Sequence, residues 1–305
     1  MLDVLAAHGT EGADLLIAYP LQGPSLQRAG ALAAQFPATS LSVLSEDPAH
    51  AAAVPERLGV FVDVNPGMHR TGIPLTNSAR IIAVARAAGM RLRGIHFYDG
   101  HIHDDDATSR RAAAHAAYDA LLGLLETLAQ AGIAPREVIT SGTPTFRYAL
   151  DFPGFAGGTV QGSNAVHRIS PGTVVFHDLQ YDELLEDVDL EPAAVVLARV
   201  VSHPREGLIT CDAGSKSIAA ECGNPVGFAL GHPHMVGLSP SEEHLPMDVS
   251  AVASHVPVLG SMLYLVPRHI CPSVNLAEKA LLVRPDGRAE VVEVAGRAHD
   301  LLIDA

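Results

Sequence analysis

Tryptophan is absent from the 305-residue sequence, and aromatic residues make up only 5% of it. A core must therefore be filled by Leu, Val, Ile and Ala, and the 48% apolar content is enough to fill a sizeable one. Lysine is nearly absent too, represented by Lys216 and Lys279 alone. With 20 basic against 34 acidic residues the formal charge is −14, and the basic residues form no stripe. This argues against recognition of nucleic acid or of an anionic membrane by general electrostatics. No apolar run reaches about 18 residues, so no membrane span is expected. The opening MLDVLAAHGT lacks the basic region of a signal peptide. Three cysteines, Cys211, Cys222 and Cys271, are too few and too dispersed for a disulfide framework, and a reducing cytoplasm is the default.

What the sequence does have is alternation. Over residues 1–180, short apolar runs read as buried strands: 14–20, 41–45, 58–64, 91–97, 136–142 and 166–176. Ala-rich helical patterns lie between several of them, over 25–36, 47–54, 76–89 and 107–132. Pro24-Ser25, Asp47-Pro48 and Thr76-Asn77 read as helix starts, and Gly89 and Gly132 as stops. Near-continuous apolar strands alternating with helices predict a parallel sheet with helices outside. From about residue 190 the texture changes to short strand-like runs separated by Gly, Pro and Asp, which predicts a mostly antiparallel β domain. The acidic stretch HDLQYDELLEDVDLEP, residues 177–192, marks the boundary, giving an α/β unit over 1–180 and a β domain over 181–305.

Polar residues gather where the strands of the first unit end. NPGMHRTGI, with Arg70, follows one strand; YDGHIHDDD, with Tyr98, His101 and His103, follows another. Ser141-Gly142-Thr143 and Gly172-Thr173 follow two more, and their small residues would let backbone N–H groups approach a phosphate. In a parallel α/β barrel these strand ends form the active face. HFYDGHIHDDD holds three histidines and four carboxylates in eleven residues. Asp105 and Asp106 read as helix-capping material, which leaves Tyr98, His101 and His103 as catalytic candidates able to move a proton.

PRHICPSVN, residues 267–275, follows an apolar run. If that run is a strand, His269 and Cys271 leave the same face and present two soft donors to a divalent metal. His232, His234, Glu242, Glu243 and His244 belong to the same domain and could line an entrance or support the donors. The order of AGSKS does not match a phosphate-binding P-loop.

VDVNPGMHRTGI, GIHFYDGHIHD, TSGTPTF, SPGTVVFHD, CDAGSKSIAAECGNP, SEEH and VPRHICPSVN occur in one order over nearly the whole chain. In that order the sequence resembles the D-threonine aldolase/D-serine dehydratase family of fold type III pyridoxal-phosphate enzymes. The resemblance implies an alanine-racemase-like (β/α)8 barrel with pyridoxal phosphate at its mouth, followed by a C-terminal β domain carrying a metal. It implies a homodimeric lyase acting on small 3-hydroxy-D-amino acids. It assigns Ser141, Gly142, Thr143, Gly172 and Thr173 to the phosphate, Arg70 to the cofactor's phenolic oxygen, Tyr98 to its ring, and His269 and Cys271 to the metal. Zinc is the first expectation, with manganese or magnesium as alternatives. Cysteine at the second metal position leans toward the dehydratases.

One departure stands out. The family's cofactor-linking lysine lies in an Arg-Pro-His-x-Lys-Thr type segment on the first barrel strand, and neither Lys216 nor Lys279 sits in such a segment. Six strands also fall two short of a closed barrel. The resemblance places the chain's start in the helix before the family's third strand. The expectation is a chain lacking the first two strands and the lysine segment, belonging to a longer active protein. Two alternatives remain open: a catalytically inactive relative that binds a small molecule or metal, and an unrelated barrel metal hydrolase using His101, His103, His269 and Cys271 as ligands.

Overall fold

The computed structural model describes Leu2 and residues 12–185, 188–252 and 255–297. The helix expected at the chain's start lies, apart from Leu2, outside the described residues. The chain divides into two compact units between Pro171 and Gly172.

The first unit alternates strand and helix: β1 (Asp14–Ile17), α1 (Gly23–Gln35), β2 (Ser40–Ser45), α2 (Pro48–Ala53), β3 (Leu58–Asn65), the short β4 (Ile73–Pro74), α3 (Ser78–Ala88), β5 (Leu92–Phe97), α4 (Ala107–Gln130), β6 (Glu137–Thr140), α5 (Phe146–Leu150) and β7 (Val166–Ile169). The main strands pair in parallel in the order β1-β2-β3-β5-β6-β7, with β4 added beside β3. Helix starts follow from local chemistry. Asp47 accepts hydrogen bonds from the N–H groups of Ala49 and His50, Asn77 from that of Arg80, and Asp106 from that of Ser109. Gly89 ends α3 at φ 56°, a backbone region glycine enters without a Cβ clash.

Alternate strand residues face opposite ways. Val43, Val60, Val62, Ile95 and Val138 join Ile81, Val84, Tyr118, Leu121 and Leu128 of the helices in the main core. Leu44, Phe61 and Ile139 form a smaller cluster, with Leu16 packed against it. The sheet also curls. Arg93 on β5 donates to Asp14 on β1 at 2.7 Å and to Glu137 on β6, and Arg168 on β7 donates to Glu137 at 2.6 Å. In a flat sheet β1 and β5 would stand three strand spacings of about 4.8 Å apart, out of an arginine's reach. Among the described residues the pairing path ends at β1 and β7.

The second unit contains α6 (Leu179–Leu184), β8 (Val196–Arg205), β9 (Leu208–Cys211), β10 (Gly227–Ala229), β11 (His232–Gly237), β12 (Leu245–Asp248), β13 (Met262–Pro267), α7 (Ile270–Leu276) and the hairpin β14 (Lys279–Val283) and β15 (Ala289–Glu293). Six of its strands close an antiparallel barrel in the order β10-β11-β12-β9-β8-β13. Closure leaves no unpaired edge in that sheet. Val200, Ile209, Cys211, Met247 and Leu265 are buried in its core. Burial pushes the Cys211 thiol up to about 12, so this cysteine is a packing residue.

The structure differs from the sequence reading at three places. The strand expected over 166–176 ends at Ile169, and Thr173–Val175 forms a 3-10 turn. The acidic stretch expected at a boundary is packed inside the second unit. There Asp178 accepts from the Ile270 N–H at 3.0 Å, and the Gln180 N–H reaches the Arg268 carbonyl at 3.1 Å. The PRHIC segment is not a continuing strand. β13 stops at Pro267, His269 is extended at the N-cap, and Cys271 lies in the first turn of α7. Pro272 is compatible with that turn, where its missing N–H would have had no partner.

Candidate active site

In the first unit, parallel pairing puts the C-terminal ends of β3, β5, β6 and β7 side by side. The loop after β3 is shaped by Asn65, whose Oδ1 accepts from the Gly67 N–H at 2.9 Å and the His69 N–H at 3.1 Å. That turn presents Arg70, with its guanidinium carbon 4.7 Å from the centroid of the Tyr98 ring. Asp63, Met68, Arg70, Thr71 and Tyr98 line one cleft. Beneath it Asp63 Oδ1 and His96 Nδ1 lie 2.8 Å apart, both residues buried, and the His96 and Tyr98 rings are parallel.

The loop after β6 is organised by a residue that sequence reasoning missed. Asp99 is fully buried and accepts from Thr145 Oγ1 at 2.6 Å, Tyr118 OH at 2.7 Å and the Gly142 N–H at 3.0 Å. Burial pushes its carboxyl up against the lowering effect of these donors. The Gly142 N–H, expected to face a phosphate, is thus turned to a protein carboxylate. Ser141 adopts φ 73°, and its hydroxyl points to Thr140 Oγ1 at 3.0 Å and Tyr118 OH at 3.2 Å. Thr143 is buried in the same loop. In the sequence Asp99 is one carboxylate of an acidic stretch, and its partners lie up to 46 residues away.

The same end of β7 carries a pH-dependent contribution to stability. His167 donates or accepts at Thr140 Oγ1 (2.8 Å) and stacks on Phe155, with ring centroids 3.9 Å apart. Burial holds its pKa down at about 4. The stabilisation is complete above the unfolded value near 6.5 and is lost as pH falls toward about 4, because the unfolded chain takes up a proton that the folded site refuses. Thermal unfolding between pH 7 and pH 4 should show a loss on the order of 2 kcal/mol from this group. His167→Gln should flatten that limb; an unchanged pH profile would refute the assignment.

His101 and His103 occupy the loop after β5. His101 packs so closely on Gly67 that a Cβ there would stand 2.9 Å from its Nε2. Desolvation lowers its pKa, keeping the imidazole neutral. His103 is exposed.

Pyridoxal phosphate, which the resemblance implies, needs a flat support, a cation and polar partners. Tyr98 and Arg70 supply the first two. A Cβ on Gly142 would stand 3.1 Å from the Tyr98 ring, so the glycine lets the ring pack directly against the loop after β6. Asp63 Oδ2 and His101 Nδ1 are buried and find no hydrogen-bond partner among the described residues. These features fit the cofactor. Lys216 is exposed and paired with Glu242 (2.8 Å) and Glu243 (2.7 Å), and Lys279 with Glu293 (3.6 Å), all within the second unit. Glu242 and Glu243 are thereby committed to Lys216.

The second unit gathers the metal candidates. His269 Nδ1 lies 2.6 Å from Glu221 Oε1 and 3.5 Å from Cys222 Sγ. Cys271 meets the same imidazole, and its Sγ lies 3.5 Å from Thr173 Oγ1. Gly172 and Thr173, expected beside Ser141–Thr143, belong to this unit. Hydrogen bonding to Cys271, and then to Glu221, lifts His269 to about 9 against desolvation, and the same bond lowers the Cys271 thiol. Among the described residues, Glu221, Cys222 and His269 form a group of donors within 4.8 Å of one another, and Cys271, expected to share a metal with His269, is not in that group. An imidazole, thiols and a carboxylate fit a divalent metal. Glu221 and Cys222 were missed because they lie 48 and 47 residues before His269.

A curled parallel α/β sheet followed by a closed β domain defines an alanine-racemase-like protein. The alanine racemase N-terminal domain matches residues 4–155, and the putative serine dehydratase domain matches residues 193–283. With both domains in that order, the chain belongs to the D-threonine aldolase/D-serine dehydratase family. It is 28% identical to the D-threonine aldolase of an Arthrobacter species over 267 residues, 85% of this chain and 65% of that protein. It is 27% identical to the 3-hydroxy-D-aspartate aldolase of Paracoccus denitrificans over 245 residues, 77% of this chain and 59% of that one. The matches thus span less than two thirds of these relatives' length. The crystal structure of D-threonine aldolase from Filomicrobium marinum superposes with a TM-score of 0.79 at 25% identity, covering 97% of this chain and 79% of that one. D-threo-3-hydroxyaspartate dehydratase from a Delftia species shares the fold, with a TM-score of 0.75 at 20% identity and coverage of 98% and 82%.

Proposed function

We propose that the chain carries the cofactor and metal sites of a pyridoxal-phosphate- and metal-dependent lyase acting on 3-hydroxy-D-amino acids. The observation that carries this reading is Arg70 lying over the ring of Tyr98 at 4.7 Å, beside two buried polar atoms without partners, in a chain of this family. Pyridoxal phosphate, when bound, supplies electron withdrawal at the substrate's Cα, and a divalent metal supplies Lewis acidity toward a β-hydroxyl. Arg70 orients an anionic oxygen beside the ring held by Tyr98. His101, neutral and with Nδ1 unpartnered, is suited to accept a proton. His269 and Cys271 hold the metal, and the soft donors favour zinc over magnesium. Cys271 at the second metal position supports dehydration over aldol cleavage.

A second reading is favoured by the lysines: both are exposed, ion-paired and in the second unit. A relative that binds the cofactor without covalent attachment would look like this. Incubating the 305-residue protein with pyridoxal phosphate, zinc and a panel of 3-hydroxy-D-amino acids separates the two. Release of an oxoacid or aldehyde from D but not L substrates supports the lyase. Saturable cofactor binding without turnover supports the second reading.

A further inference from the structure

We infer that Asp63 is the positioning residue for Arg70: when a flat anionic ligand takes the face of Tyr98, the guanidinium leaves that ring and pairs with the free oxygen of Asp63. The inference deepens the cofactor half of the proposed function and rests on it.

The strand pattern sets the two groups in one cleft. Val60, Val62 and Val64 of β3 and Ile95 and Phe97 of β5 pack in the main core. The residues between them face the other way, where Phe61 packs with Leu44 and Ile139. Asp63 and His96 continue that inner face toward the C-terminal strand ends, and they stand side by side in the β3–β5 register. The pair is thus a polar layer between an apolar floor and the cleft. His96 Nδ1 lies 2.8 Å from Asp63 Oδ1 and fixes the carboxylate. Oδ2 has no partner among the described residues, in a residue only 3% exposed that lines the cleft with Arg70 and Tyr98. A buried carboxylate oxygen in such a setting requires a donor.

Arg70 is the donor within reach. β4 brings the loop after β3 back alongside that strand, with Ile73 beside Val64. Gly72, at φ 94°, lies so close that a Cβ there would stand 3.2 Å from the Asp63 carbonyl carbon and 3.0 Å from the Asn65 nitrogen. Arg70 leaves the chain two residues earlier. Its guanidinium, rich in N–H donors, makes no hydrogen bond or ion pair among the described residues and lies 4.7 Å from the Tyr98 ring centroid instead. Tyr98 lines the same cleft, so the ring face that Arg70 covers is the one a planar ligand there needs. Displacing the guanidinium costs a cation–π contact. Pairing with Asp63 replaces it by a stronger, charge-assisted one and aims the remaining N–H donors along the ligand's edge.

The test is titration of the arginine-labelled, full 305-residue protein with pyridoxal phosphate, read by NMR and by the dissociation constant. The Arg70 Nε–H resonance, assigned by its loss in Arg70→Lys, should start upfield in the Tyr98 ring current. At saturation it should move downfield and exchange more slowly with water. In Asp63→Ala the upfield start should remain and the downfield shift should be lost. Asp63→Ala and Arg70→Ala should each weaken binding by about tenfold, and the double variant by about tenfold rather than about a hundredfold, because both act through one contact. Unchanged melting of the ligand-free variants verifies the fold; if Asp63→Ala does not fold, the wild-type shift decides alone. Losses that multiply, or a resonance that stays upfield in saturated wild-type protein, would overturn the inference while leaving cofactor binding intact. Wild-type protein without saturable binding would overturn the cofactor reading and this inference together.

Discussion

Replacing Asp99 with alanine should destabilise the first unit by about 3–5 kcal/mol, the cost of stripping a buried, hydrogen-bonded carboxylate from its partners. Thr145 Oγ1, Tyr118 OH and the Gly142 N–H would lose their common acceptor at once. Tyr118 is itself fully buried among Phe152 and Phe155, so its hydroxyl has no route to solvent without opening the core. The loop that carries Ser141, Gly142 and Thr143 should lose its conformation first, since Ser141 holds φ 73° against its intrinsic preference. Denaturant titration measures the effect. Asp99→Asn keeps one acceptor oxygen and should lose about 1–2 kcal/mol. A loss under about 1 kcal/mol for the alanine variant would mean that the loop does not depend on this carboxylate.

His269→Ala should abolish metal binding and leave pyridoxal-phosphate binding unchanged. The imidazole is the group that Glu221, Cys222 and Cys271 share, so its removal takes away the one partner common to all three. The residues proposed to hold the cofactor, Arg70 and Tyr98 with Ser141–Thr143, belong to the other unit. Equilibrium metal analysis and a cofactor titration on the same protein check the two halves separately. Retained metal at wild-type affinity would show that the donors gather elsewhere.

The strands and helices of the first unit were legible because each sits in a run whose period matches its structure. The expected strand at 58–64 is β3 at Leu58–Asn65, and the helix starts at Asp47 and Asn77 follow from side chains that cap their own neighbours. Such information is local. His269 and Cys271 were found from their residue types, but the strand geometry inferred for them was wrong. The apolar run ends at Pro267, and Pro272 within the next few residues marks the first turn of a helix rather than the end of a strand. The curl of the sheet was not legible, because Asp14 and Arg93 lie 79 residues apart and only folding brings them together. Asp99, Glu221 and Cys222 escaped for the same reason. A carboxylate in an acidic loop and a Glu-Cys pair before a glycine have no period or spacing that sets them apart, and their roles come from partners tens of residues away.

We propose that the Arg70–Tyr98 face holds pyridoxal phosphate and that neither Lys216 nor Lys279 is linked to it. Titrating the 305-residue protein with pyridoxal phosphate, followed by borohydride reduction and peptide mapping, tests it most directly. The predicted result is saturable binding, weakened by about tenfold or more in Arg70→Ala through loss of a charge-assisted contact, with no reduced adduct on Lys216 or Lys279. Binding indifferent to Arg70→Ala, or a reduced adduct on either lysine accompanied by turnover of a 3-hydroxy-D-amino acid, would contradict it.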